Sequence, residues 1–92
     1  MIIETQNKDE IINFENIMNI EVTNCDEDGF GIFAGVVIGV DDNYRLLGYY
    51  KNEEKAKYIL QEIIAFYIRT EDKNKVYRMP KEWKKNGKTN NM

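Results

Sequence analysis

The stretch Gly-Phe-Gly-Ile-Phe-Ala-Gly-Val-Val-Ile-Gly-Val, residues 29–40, constrains the fold of this chain more than any other. Side chains alternate across a β-strand, so Phe30, Ile32, Ala34, Val36, Ile38 and Val40 share one face. Gly31, Phe33, Gly35, Val37 and Gly39 share the other. One face reads as core and the other as nearly bare backbone. Glycine weakens a strand interior and marks a bulge, a bend or a close approach. Gly31, Gly35 and Gly39 are therefore the candidate points where a ligand or a second subunit's backbone comes near.

The segments around this strand read as an antiparallel meander. Met1 to Gln6 is a short strand, Asn7-Lys8-Asp9 a polar turn, and Glu10 to Phe14 a second strand. After the interruption at Glu15-Asn16, Ile17 to Thr23 alternates, with Met18, Ile20 and Val22 on its apolar face. Asn24, Asp26, Asp28 and Gly29 match the first half of a calcium-binding loop, but Gly35 stands where the closing acid belongs. Asp-Gly between strands is instead a hairpin turn, with Cys25 an incidental thiol. Asp41-Asp42-Asn43 forms the next turn, and Tyr44 to Tyr50 another strand. Plain alternation there would put Arg45, Leu47 and Tyr49 beside the bare face.

Asn52 is placed to cap a helix from about Glu53 to Thr70, with Glu53 and Glu54 at its positive end. At about 100° per residue, Phe66, Ile59, Ile63, Ala56, Tyr67, Leu60, Ile64 and Ile68 cover an arc of roughly 200°. One small sheet does not need so broad a face. Phe66, Ile59, Ile64 and Ile68 are accordingly the expected oligomer interface. Lys75 to Met79 reads as a closing edge strand, since Pro80 cannot donate to a ladder. The expected architecture is α+β: about five short strands, one long amphipathic helix on one face and a short edge strand. Residues 1–80 form the domain, and residues 81–92 a basic, disordered tail in which Trp83 closes the core edge or stacks on a base.

Composition excludes more chemistry than it suggests. The chain has no histidine and no serine, which removes Ser-His-Asp and Cys-His catalysis and every histidine-containing zinc site. Its single cysteine allows no internal disulfide. No apolar run long enough to span a membrane and no signal-peptide pattern occurs, so a cytoplasmic location is expected. Residues 1–72 hold 15 acids against 6 bases, and residues 73–92 hold one acid against 7 bases. An acidic body disfavours direct nucleic-acid binding, which depends on phosphate contacts. No cofactor, metal or enzymatic activity is expected. Arg45, Tyr49, Arg69, Tyr77 and Arg78 are the candidate anion and ring contacts for a ligand.

The opening Met-Ile-Ile, the segment Ile-Ile-Asn-Phe-Glu-Asn-Ile at residues 11–17, the stretch Leu-Gly-Tyr-Tyr-Lys-Asn-Glu-Glu-Lys-Ala-Lys-Tyr-Ile-Leu-Gln-Glu-Ile at residues 47–63 and Val-Tyr-Arg-Met-Pro at residues 76–80 carry a resemblance. Together they resemble a family of small proteins of phages, prophages and mobile elements of Firmicutes, over most of the chain up to Pro80. The shared motifs are structural, so no catalytic role transfers. The resemblance implies a stoichiometric anti-defence protein. Its leading form is a homo-oligomer that sequesters a small nucleotide-type immune signal in an inter-subunit pocket. The alternatives are an acidic protein inhibitor of a host defence nuclease, and a structural or regulatory oligomer of a mobile element.

Overall fold

A computed structural model describes residues 1–38, 41–69 and 74–82. The expectations for Gly39, Val40 and the tail from Trp83 onward fall outside these residues. The chain is α+β. Among the described residues there are six strands, β1 (Ile2–Glu4), β2 (Ile11–Asn13), β3 (Ile17–Asn24), β4 (Phe30–Ile38), β5 (Asp41–Tyr50) and β6 (Val76–Arg78), and one α-helix, α1 (Glu53–Arg69).

The strands divide into two three-stranded sheets, ordered β2-β1-β6 and β3-β4-β5, rather than running on as one meander. The division falls at a 3-10 turn, Phe14–Asn16, where the Asn13 side chain accepts the Glu15 N–H at 3.0 Å. That local bond satisfies a backbone donor that a continuing strand would have spent on a ladder. Phe14 then stacks on Tyr67 of the helix, with ring centroids 4.7 Å apart. In the small sheet β1 pairs antiparallel with β2 and parallel with β6. β6 is an edge strand as expected, and Pro80 stands two residues past its last residue, Arg78.

The helix begins where the sequence places it. Asn52 Oδ1 accepts the Lys55 N–H at 2.7 Å, satisfying one of the donors left free in a first turn. Ala56, Ile59 and Ile63 are buried against Ile32, Ala34 and Val36 of β4 and Leu47 and Tyr50 of β5. Ile3 and Ile12 of the small sheet, with Met1 and Met79 flanking its strands, complete this core. The alternating core face of β4 is therefore as expected at these three positions. Each fully buried aliphatic side chain stabilises the fold by about 1.5–3 kcal/mol.

Two β-bulges reset the alternation. The β3–β4 register shifts between Ile17 and Asn19, so Ile17 packs on the core and Met18 is left exposed. The expected Met18-Ile20-Val22 face is corrected to Ile17, Ile20 and Val22. Similarly, Asp41–Asn43 belong to β5 rather than to a turn, pairing with Ile38, Val37 and Val36. The second shift, opposite Ile32 and Phe33, inserts Leu47 into β5. It turns the Leu47 carbonyl out to accept the Gln6 N–H at 2.7 Å. The Gln6 amide then imitates a strand partner: its Oε1 accepts the Tyr49 N–H at 2.9 Å and its Nε2 donates to the Tyr49 carbonyl at 3.0 Å. One side chain thus joins the two sheets. Gly48 makes room for it, since a Cβ there would stand 3.0 Å from that of Gln6.

The junction also holds two tyrosines whose protons the fold retains. Tyr50 is fully buried, and its hydroxyl donates to the Pro80 carbonyl at 2.6 Å. Burial, reinforced by Tyr77 and Glu82, pushes its pKa upward. Burial and the facing Glu62 carboxylate do the same for Tyr77, whose hydroxyl lies 3.3 Å from Glu62 Oε1. Raised folded-state values mean that the native state binds these protons more tightly than the unfolded chain. Their stabilisation is complete below the ordinary tyrosine pKa of about 10 and is lost as pH climbs above it. Denaturant midpoints are expected to fall between about pH 9 and pH 12, and Tyr77→Phe is expected to flatten that decline.

Candidate functional site

The helix covers one face of the β3-β4-β5 sheet, and among the described residues nothing covers the other. The outward positions of β4 are Gly31, Phe33 and Gly35, which pair with Tyr49, Leu46 and Tyr44 of β5. Neither glycine is bare. A Cβ at Gly31 would lie 2.6 Å from the Phe33 ring and 3.2 Å from the Tyr49 ring. At Gly35 it would collide with Asn19 Oδ1 and stand 3.3 Å from the Tyr44 ring. The gaps are filled by the sheet's own side chains, as rings commonly do beside strand glycines. Phe33 and Tyr49 meet edge to face, with centroids 6.5 Å apart. The result is an aromatic surface of Phe33, Tyr44, Leu46 and Tyr49, bordered on β3 by Asn19, Glu21 and Thr23.

The bulge at Leu47 decides which β5 residues reach this surface. Tyr49 does, as expected. Arg45 and Leu47 do not: Arg45 pairs with Ala34 on the core side, and Leu47 is buried. Tyr44 takes the position that plain alternation assigns to Arg45. The Arg45 guanidinium instead holds Glu10 at 2.9 Å, beside a small cleft formed with Ile11, Ile12, Asn13, Asn16 and Val36.

At one end of the aromatic surface lies a cleft of about 780 Å³, lined by Gln6, Asn7, Asp26, Glu27, Asp28, Gly29, Tyr49, Lys51, Lys81 and Glu82. Its acidic wall is built by the β3–β4 turn. Asn24 Oδ1 accepts the Asp26 N–H at 2.8 Å, Asp26 takes a left-handed φ of 56°, and Asp26–Asp28 close a 3-10 turn. Gly29 follows at φ 88°, where a Cβ would run into the Tyr50 carbonyl, so only glycine fits. The turn is thereby held against the end of β5, with three exposed carboxylates presented to Tyr49 and Lys51. Among the described residues no three acids or cysteines converge in metal-ligating geometry.

The other candidates are dispersed. Tyr77 packs edge to face on Phe66, 5.4 Å between centroids, and faces Glu62. The Arg78 Nε lies 3.4 Å from Glu4, and Arg69 is exposed at the end of the helix. Of the residues expected at an oligomer interface, Ile59 is fully buried in the chain's own core and Phe66 packs against it. Ile64 and Ile68 are exposed. The acidic turn, Tyr44 and Lys51 are the members of the surface that sequence reading misses. Adjacent Leu46 and Leu47 before Gly48 are the local signal that could have exposed the bulge.

No family model, curated protein or solved structure matches the chain. Among the described residues no helix is long and apolar enough to cross a membrane.

Proposed function

We propose that this is a non-catalytic binding protein whose acidic side docks on a basic macromolecular surface, such as the nucleic-acid channel of a host defence nuclease. The observation that carries this reading is the charge distribution. The first 44 residues hold ten carboxylates and a single base, Lys8, and of these carboxylates Glu4 and Glu10 are paired with Arg78 and Arg45 while Glu21, Asp26, Glu27 and Asp28 adjoin the open face of the β3-β4-β5 sheet. Among the outward positions of β3, β4 and β5 none is a lysine or arginine, while Glu21 and Asp26–Asp28 project beside the aromatic rings. Complementary charge of this kind steers association and selects basic partners.

Sequestration of a nucleotide-type signal is the weaker reading. It requires cations that converge on phosphate, whereas Arg45 is engaged by Glu10 and Arg78 by Glu4. The large cleft offers two lysines against four carboxylates. Phage origin and an anti-defence role fit the acidic reading, since a protein that mimics nucleic-acid charge needs no chemistry to block a nuclease.

The test is displacement. Purified RNA-guided nuclease complexes are loaded with fluorescent target DNA and titrated with the protein, while cyclic oligonucleotides and ADP-ribose derivatives are offered separately. Stoichiometric loss of DNA, with no nucleotide recovered after denaturation, is expected. Recovery of an intact nucleotide and no displacement would instead favour sequestration.

A further inference from the structure

We infer that the flank of α1 formed by Leu60, Ile64, Tyr67 and Ile68 is an interface for a second copy of this chain. Ile64, Tyr67 and Ile68 are 44%, 53% and 73% exposed, while the core face of the same helix is filled by Ala56, Ile59 and Ile63. Their side of the helix lies toward the 3-10 turn that precedes β3, as the Phe14–Tyr67 stack establishes, and away from Glu62 and Tyr77.

Charge selects the occupant. The chain is net acidic, so two copies meet with least repulsion where neither presents net charge. Between Leu60 and Ile68 this flank carries no charged side chain, and one and two turns earlier Lys57 and Glu53 neutralise each other at 3.1 Å. The opposite, aromatic side is rimmed by Glu21 and Asp26–Asp28 and repels its own copy.

The spacing is also self-complementary. Leu60, Ile64 and Ile68 form one i±4 ridge, the element that interdigitates when two helices cross at about −50°. A two-fold axis at Ile64 sets Ile64 against the partner's Ile64 and Leu60 against the partner's Ile68. Such a strip is smaller than the roughly 800 Å² per partner of a standard interface, so the dimer is weak and reversible. This inference is independent of which partner the acidic side engages.

Sedimentation velocity over about 5–500 μM is expected to resolve a monomer–dimer equilibrium with a dissociation constant on the order of tens of micromolar. Ile68→Lys and, separately, the milder Ile64→Gln are expected to weaken it at least tenfold with unchanged circular dichroism, because both side chains are exposed. Tyr44→Lys, on the aromatic side, is expected to leave it unchanged. A strict monomer throughout the range, or self-association that survives both helix variants, would overturn the assignment.

Discussion

Ile59→Ala is expected to lower the unfolding free energy by about 2–5 kcal/mol, whereas Ile68→Ala changes it by less than about 0.5 kcal/mol. Both isoleucines lie on the apolar arc of one helix and lose the same atoms. Ile59 is fully enclosed between α1 and the β3-β4-β5 sheet, so its truncation leaves a cavity that the surrounding strands cannot close. Ile68 is 73% exposed and loses little in the monomer. Domains are stable by only about 5–15 kcal/mol, so the first substitution removes a large share of the total. Urea denaturation at low protein concentration measures both. Equal losses would mean that the helix does not sit on the sheet by the face described.

The second large effect concerns the acidic turn. Asp26→Asn, Glu27→Gln and Asp28→Asn together remove three exposed charges at nearly constant volume. Asparagine also tolerates the left-handed backbone at residue 26. Three pairs with a basic partner, at about 0.5–1 kcal/mol each, amount to roughly a tenfold to hundredfold loss of affinity. The fold is expected to be unaffected, because no ion pair within the described residues uses these side chains. Binding competition against the unsubstituted chain measures the loss.

The parts of the fold legible in the sequence are those set by local period and capping. Ile32, Ala34 and Val36 point inward as their alternation requires, and Asn52 caps α1 through its side chain. Long-range pairings leave no such trace. The parallel contact of β1 with β6 joins Ile2 to Val76 across nearly the whole chain, and nothing near either residue specifies it. Bulges are the second obstacle: one inserted residue moves every later side chain to the other face. Leu47 did this in β5, taking Arg45 away from the glycine face and bringing Tyr44 to it. Met18 did the same at the start of β3. The candidate site suffered accordingly, since Arg45, the cation expected beside the glycine face, was placed there by uninterrupted alternation.

Gly31 and Gly35 also acquire a different meaning. Alternation alone leaves them as a bare floor awaiting a ligand or another backbone. The structure lays Phe33, Tyr49, Asn19 and Tyr44 over them, so the glycines serve to seat rings on an open sheet face. That face, together with the acidic turn, is what the protein offers a partner.

Calorimetric titration of a displaced nuclease complex at low and high salt tests the acidic docking surface most directly. Screening shortens from about 10 Å at 0.1 M salt to about 3 Å at 1 M. An affinity that falls at least tenfold over that range, and less steeply for the triple-neutralised chain, is the expected result. An affinity insensitive to salt and to the neutralisation would contradict docking through the acidic side.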